Sequence, residues 1–398
     1  MANNTYRVDL LVPAAGDLTV TDDGTGTDRL VIVGTYISEC YVNLNYDGTF
    51  PISSKAWGAF HTGLNGEFRH NLYVNGLIEN VRGSDGADWI DGNEANNLIY
   101  GDAANGIGGN DTLFGDEGND SIYGGNGNDD INGAEGNDFL SGGAGNDTVY
   151  GGGGSGDTVE GGAGADLVGG NANRGDTVSY AGSTGAVQIN LEFGENVIGI
   201  GGDAGGDTIS GCRNVIGSDG NDILTDLVKG TVAFGYNDNG FFGGRGNDTL
   251  LMGGGNDTAT GAAGNDSLSG EVGRDRLIGG SGADLLSGGA GSDRFIFQSA
   301  ADSTVALSGR DTISDFRHSQ GDRIDLAALD ANINSTAVNE SFTFRTALQG
   351  FSGNGAEVTY VAVTGGVRVM VDNNADGSAD FAILLQGVSV LVAGDFYL

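Results

Sequence analysis

Between Gly106 and Gly169 one large apolar residue recurs in a polar, glycine-rich frame, and Leu113, Ile122, Ile131, Leu140 and Val149 stand nine apart. The units GIGGNDTLF, GDEGNDSIY, GGNGNDDIN, GAEGNDFLS and GGAGNDTVY follow each other without a gap and share the form G-G-x-G-x-D-x-U-x, U being the apolar residue. An apolar side chain flanked by polar ones suits a strand with one face inward, so the last three places predict a very short strand. Glycine at the first, second and fourth places gives access to positive φ, so the first six places predict a turn. One turn and one strand reverse the chain, and two nonamers make a full coil. A period this regular predicts a solenoid.

The same pattern sets Asp111, Asp120, Asp129, Asp138 and Asp147 at a constant interval. One inserted residue shifts the phase to Asp157, and Asp166 resumes it. From Gly243 to Phe297 the unit returns with Asp248, Asp257, Asp266, Asp275, Asp284 and Asp293. Every second Asp falls on the same edge, so Asp111, Asp129 and Asp147 stack on one side and Asp120, Asp138 and Asp157 on the other. Carboxylates one strand spacing apart, about 4.8 Å, repel unless a cation lies between them. Carboxylates and exposed turn carbonyls, with no His or Cys in the repeats, select Ca²⁺ over transition metals.

The nonamer resembles the repeat of the RTX family of secreted calcium-binding proteins, and the resemblance covers about three quarters of the chain. It implies an all-β fold, a right-handed parallel β-roll in two arrays. It also implies that each Ca²⁺ lies between loops eighteen residues apart, held by both sixth-place Asp residues and by carbonyls of the first four places. Carried over, Asp120 pairs with Asp138 and Asp266 with Asp284. The fourth-place glycines Gly118, Gly127, Gly136 and Gly145, and Gly255, Gly264, Gly273 and Gly282, supply carbonyl oxygens. One apolar side chain per nonamer offsets little of the backbone entropy of so much glycine, so folding should await the metal.

Composition then narrows the partners. Fifty-four acidic residues against 17 basic ones give a formal charge of −37, with 77 Gly and only 2 Pro. That charge argues against nucleic acid and anionic lipid as partners. One ion per intact loop pair gives roughly ten Ca²⁺, neutralising about twenty charges. The most apolar run, Phe381 to Ala393, is broken by Gln386 and Gly387 and is too short for a membrane span. No positive and apolar leader follows Met1. Open calcium sites bind at about 10⁻⁴–10⁻³ M, which points outside the cell. The ending Asp395-Phe396-Tyr397-Leu398 is similar to the uncleaved C-terminal signal of RTX proteins, which implies type I secretion machinery as a partner. Cys40 and Cys212 are either two unrelated thiols or one disulfide.

Five segments are expected. Residues 1–80 form a small β-domain, with strands from Tyr6–Val12, Arg29–Val33 and Tyr41–Tyr46 and a hairpin turn at Asp47-Gly48. Its aromatics, among them Tyr36, Trp57 and Phe68, form either a core or a contact surface for a neighbour or a glycan. Residues 81–176 are the first array. Its opening units are degraded: Asp88 is kept but Asn97 replaces the next Asp, as in an end cap, so Asp88 ranks below the later ligands. Residues 177–242 are a spacer in which Asp203, Asp207 and Asp222 are secondary calcium candidates. Residues 243–297 are the second array, and 298–398 a cap with the export signal. The phrases around Asp311, Asp315 and Asp325 resemble the segment after the β-roll of serralysin-type proteases and imply a β-sandwich-like cap. Asp372 to Asp380 imitates an EF-hand loop, but Ile383 stands where the bidentate Glu belongs, so a β-hairpin is expected.

Catalysis is not expected. His61, His70 and His318 are the only histidines, and none opens H-E-x-x-H; no G-x-S-x-G is present. The reading is a non-catalytic subunit of a surface layer, matrix or filament at the cell surface, a homo-oligomer or polymer with cell-surface polysaccharide as a further partner. A soluble secreted effector acting on host cells or membranes, and a carbohydrate-active enzyme using a carboxylate such as Glu67, are the alternatives.

Overall fold

A computed structural model describes the chain from residue 80 to 398, apart from 84–85, 103–107, 155, 171–174, 192–195, 227–237, 330–341, 347–348 and 354. Before residue 80 it describes the backbone of Thr5–Asp9, Leu18–Thr21, Arg29–Val33, Glu39–Asn43 and His70–Asn75. The Asp47-Gly48 turn, His61, Glu67 and the side chains of the N-terminal aromatics lie outside the described residues. Contacts divide the chain into two units, one of residues 1–179 with 203–212, the other of 180–202 with 213–398. The expected spacer is thus shared: 203–212 packs with the first unit and the rest of 180–242 with the second.

In the first unit the apolar residue of each nonamer enters a strand, and alternate strands join two parallel sheets. One contains Ser121–Asn126, Phe139–Ala144 and Thr158–Ala163, the other Thr112–Phe114, Asp130–Asn132, Thr148–Tyr150 and Leu167–Gly169. Strands are therefore short on one side only; on the other they run on into the opening places of the next repeat. Ile122 pairs with Leu140 and Leu140 with Val159, so the inward residues stack coil on coil. Each is fully buried, as are Leu113, Ile131 and Val149. These inward stripes of the two sheets are the core.

The N-terminal strands extend the same two sheets. Arg29–Val33 pairs in parallel with Asn80–Arg82, and Glu39–Asn43 with Ala87–Asp91. A sheet of its own before residue 80 is not seen among the described strands. Val/Ile-rich segments fit a hairpin domain or a solenoid coil equally well, and the pairing partner is not encoded in their alternation.

In the second unit Gly240–Arg245, Thr258–Ala263, Arg276–Ser281, Arg294–Ile296 and Arg323–Asp325 follow in one parallel sheet, which ends on Phe396–Tyr397. The opposite sheet runs Ile223–Thr225, Thr249–Leu251, Ser267–Ser269, Leu285–Ser287, Thr312–Ile313 and Phe381–Gln386. Gly366–Asp372 and Glu357–Val363 then add antiparallel strands to that edge. The C-terminal region therefore continues the two sheets instead of forming a separate sandwich. Residues 373–380 close the expected hairpin, and Asp372 accepts from the Gly377 N–H at 2.8 Å, so its oxygens serve the turn. The final residues are part of the fold: Phe396 is buried, and Asp395 meets the His318 ring nitrogen at 2.6 Å.

Second-place substitutions show what the turns demand. Asp116, Ala134, Ala262 and Glu271 replace glycine there and are held at φ between 67° and 79°, a conformation that costs a side chain about 1–2 kcal/mol each. At the fourth place of an interior coil the exchange is closed: Gly136 has φ 148°, and a Cβ there would overlap the Gly118 carbonyl oxygen.

Replacing Leu140 by Ala should destabilise the calcium-loaded protein by about 2–5 kcal/mol, whereas Ser141→Ala, one place further and facing outward, should cost little; thermal melts followed by circular dichroism compare the two.

Candidate functional site: files of buried carboxylates

Each sixth-place Asp ends a turn and starts a strand, so its backbone faces the neighbouring coil while its side chain is enclosed by the loop. The N–H of Asp111 donates to Oδ1 of Asp129 at 2.8 Å, Asp129 to Asp147 at 2.8 Å, and Asp147 to Asp166 at 2.8 Å. On the other edge Asp120 donates to Asp138 at 2.9 Å and Asp138 to Asp157 at 2.9 Å. In the second unit Asp248, Asp266 and Asp284 make one file and Asp257, Asp275 and Asp293 another, with bonds of 2.8–3.0 Å. The two edges expected from the alternation are present in both units.

One oxygen of each carboxylate is satisfied in this way, and the other is not. Oδ2 of Asp111, Asp120, Asp129, Asp138, Asp147 and Asp166, and of Asp248, Asp257, Asp266, Asp275, Asp284 and Asp293, is buried and accepts no hydrogen bond. First-place glycines make room for it: a Cβ on Gly115 would overlap Asp120 Oδ2 and crowd the Gly133 carbonyl oxygen. The fourth-place carbonyls converge on the same loops. Around Gly136 lie the Gly118 oxygen and Asp138 Oδ1, and around Gly273 the Gly255 oxygen and Asp275 Oδ1. The Gly127, Gly136, Gly145 and Gly264 oxygens abut the next fourth-place residue in the same manner.

Desolvation makes these carboxyls reluctant to ionise. Burial pushes Asp111 up to about 9, with the charges of Asp88 and Asp129 adding to it against the hydrogen bond from the Asp88 N–H. Asp129 rises to about 7 and Asp257 to about 8, again through burial first. Buried like charges that lack a countercharge are the condition a cation relieves. Among the described residues no three His, Cys, Asp or Glu side chains gather at one point. A bound ion would thus take two carboxylates from coils eighteen apart and complete its shell with carbonyls, an all-oxygen set suited to Ca²⁺.

Family models match the residues that build these files. The RTX calcium-binding nonapeptide repeat matches residues 73–107, 105–140, 123–156, 132–168, 155–174 and 238–259, and the serralysin C-terminal domain of the M10 peptidases matches 257–398. This chain carries calcium-binding RTX repeats. They bind multiple Ca²⁺ and fold as a parallel β-roll, followed by the serralysin-type C-terminal domain; no protease domain is matched. A solution structure of the AlgE6R3 subunit from the Azotobacter vinelandii mannuronan C5-epimerase is 26% identical over 45% of this chain and 78% of its own, with a TM-score of 0.21. No curated protein sequence matches the chain. Among the described residues no helix is long and apolar enough to cross a membrane.

The files are longer than the RTX periodicity alone reveals. Asp157 donates to Asp176 at 3.0 Å and Asp166 to Asp207 at 2.9 Å. The second unit begins with Asp222, whose N–H donates to Asp248 at 2.8 Å, and ends with Asp311 and Asp322, which accept from Asp284 and Asp293 at 2.9 and 3.1 Å. Asp311 also keeps an unpartnered Oδ2 and is pushed up to about 8 by burial. Insertions hide these members, yet each opens an Asp-x-U phrase: Asp176-Thr-Val, Asp207-Thr-Ile, Asp311-Thr-Ile and Asp322-Arg-Ile. Asp88 also stands in line, its N–H donating to Asp111 Oδ1 at 2.8 Å, and the charge of Asp203 reaches Asp166. A second, exposed ladder of fifth-place Asn residues runs alongside, with the Asn128 N–H on Asn110 Oδ1 and the Asn146 N–H on Asn128 Oδ1, both 2.8 Å. Cys212 is free, and burial pushes its thiol up to about 12.

Because the folded carboxyls titrate above the ordinary 3.8, at about 6 to 9, the calcium-free roll should be most stable near pH 4 and lose that stability as pH rises through this range. Circular dichroism of calcium-free protein should show β-structure fading between about pH 5 and 8, Ca²⁺ should restore it at pH 8, and a pH electrode should register proton release on calcium addition at pH 7.

Proposed function

We propose that the protein is a secreted, non-catalytic structural subunit whose folding is triggered by calcium and whose folded form self-assembles at or beyond the cell surface. The observation that carries the first part is the row of buried, unpartnered Oδ2 atoms. In the calcium-free state every coil stacks one more desolvated carboxylate on the last, a cost that the single apolar side chain per nonamer, about 1.5–3 kcal/mol each, opposes only weakly. Asp111, Asp129, Asp147 and Asp166 in one file, Asp120, Asp138 and Asp157 in the other, and the matching members from Asp248 to Asp293 are the proposed ligands. The carbonyls of the fourth-place glycines complete each shell, and Asp176, Asp207, Asp222, Asp311 and Asp322 extend it.

Export by a type I route fits a chain that stays unfolded in low cytosolic calcium and folds where calcium is plentiful. The non-catalytic part rests on site chemistry. The sixth-place carboxylates are committed to the files, each giving one oxygen to the ladder, and no catalytic motif stands beside them.

An interior member of a file should serve two ions and a terminal member one. Asp129→Ala should lower the calcium count by two, Asp322→Ala by one; atomic emission on dialysed protein measures the stoichiometry, and equal counts for the variants and the parent protein would sink this assignment. Light scattering during a Ca²⁺ titration checks assembly: the expected outcome is folding followed by growth. Folding to a stable monomer would favour the effector or enzyme reading instead.

A further inference from the structure

Seventeen basic residues are spread over a chain of 398 with a net charge of −37, yet three of them stand side by side. Arg276 pairs with Arg294 and Arg294 with Arg323 in consecutive strands of the second unit. Leu277, Phe295 and Ile324, the next residues, are fully buried, so the three arginines share the outward face. All occupy the seventh place of their coil, where Thr258 and other repeats carry Thr or Ser. Like charges directly opposite on a sheet are destabilising, so the row is not explained by the fold it sits on. Only part of it is compensated. Arg294 forms an ion pair with Asp325 and lies over the Tyr397 ring at 4.6 Å, and Arg323 donates to the Asp322 carbonyl oxygen at 2.8 Å. Arg276 is exposed and has no ion-pair partner among the described residues.

The first unit carries the complementary row. Glu94, Glu117 and Glu135 occupy the third place of consecutive coils on one edge, and Glu117 and Glu135 are bridged in parallel. The ladder bonds Asn119 to Asn96 and Asn137 to Asn119, each 2.8 Å, hold the same three loops in register. All three glutamates are exposed, and none forms an ion pair among the described residues. Both rows are spaced by the strand repeat, about 4.8 Å, so three guanidinium groups on one copy face three carboxylates on another without strain in either.

We propose that the Arg276–Arg294–Arg323 row is a self-association surface that receives the Glu94–Glu117–Glu135 row of a second copy of this chain. The contact deepens the self-assembly reading and rests on it. The two patches differ, so the contact is heterologous, and each copy keeps a free row of either sign with which to recruit another. A free polyanion is the weaker occupant, because its charges are not fixed at the strand repeat, whereas the Asn ladder holds the loops of the third-place glutamates at that spacing.

The test is a charge swap on the full-length, calcium-saturated protein, with folding checked by circular dichroism and association followed by sedimentation velocity. Arg276→Glu, at a side chain without an intramolecular ion pair, and the double variant R276E/R323E should each weaken association, the double by about tenfold or more. E117R/E135R should do the same. Mixing R276E/R323E with E117R/E135R should restore assembly, because each then offers the row the other lacks, and added NaCl should dissolve it. Assembly of the parent protein that none of the variants alters would overturn this contact and leave self-assembly standing. A parent protein that stays monomeric at saturating calcium would overturn both, and polygalacturonate binding lost in R276E would then name a polyanion as the occupant of the row.

Discussion

Everything in this protein depends on how buried carboxylates are satisfied. Asp129 and Asp147 each accept the N–H of the preceding coil with one oxygen and bury the other without a hydrogen bond, the atom we propose meets the cation. The first interaction sets the register of coil on coil. The second makes that register unfavourable without calcium, since burial, with the neighbouring carboxylates adding to it, raises the carboxyl pKa values well above the ordinary range. A hydrophobic core of one side chain per nonamer cannot override this, so the metal acts as the missing half of the core.

The same repetition shapes the surface. Whatever occupies a given place in the nonamer is displayed in a row at strand spacing, whether Asn at the fifth place, Glu at the third or Arg at the seventh. A solenoid thereby turns single residue choices into linear arrays, and two arrays of opposite sign are commensurate without further design. The glycine frame tolerates such choices at the second and third places at modest backbone cost, as Asp116 and Glu271 show. At fourth places such as Gly136 and Gly273 the carbonyl oxygen of the preceding loop leaves no room for a Cβ, and Ala95 takes that place only in the degraded opening unit.

Much of this was legible beforehand because the determinants are local. The turn, the short strand, the inward Leu or Ile, the two edges of Asp and the choice of calcium all follow from one nine-residue phrase. Where the phrase is interrupted, legibility ends. Asp176, Asp311 and Asp322 join the files across insertions of irregular length, and only the short Asp-x-U phrases mark them. The N-terminal strands pair among themselves, Thr5–Asp9 with Arg29–Val33 and Glu39–Asn43 with His70–Asn75, but also join the sheets of the array, and the C-terminal strands extend the sheets instead of closing a sandwich.

The sequence by itself thus determined the repeat unit, its metal chemistry and its phase, because φ preference, side-chain size and ligand hardness are properties of residues within one coil. The tertiary structure alone decided which coils are neighbours across insertions, how far the carboxylate files run, and which charged places line up in rows. Those are matters of strand pairing over long separations, and backbone hydrogen bonds carry no label that says which strand they will meet.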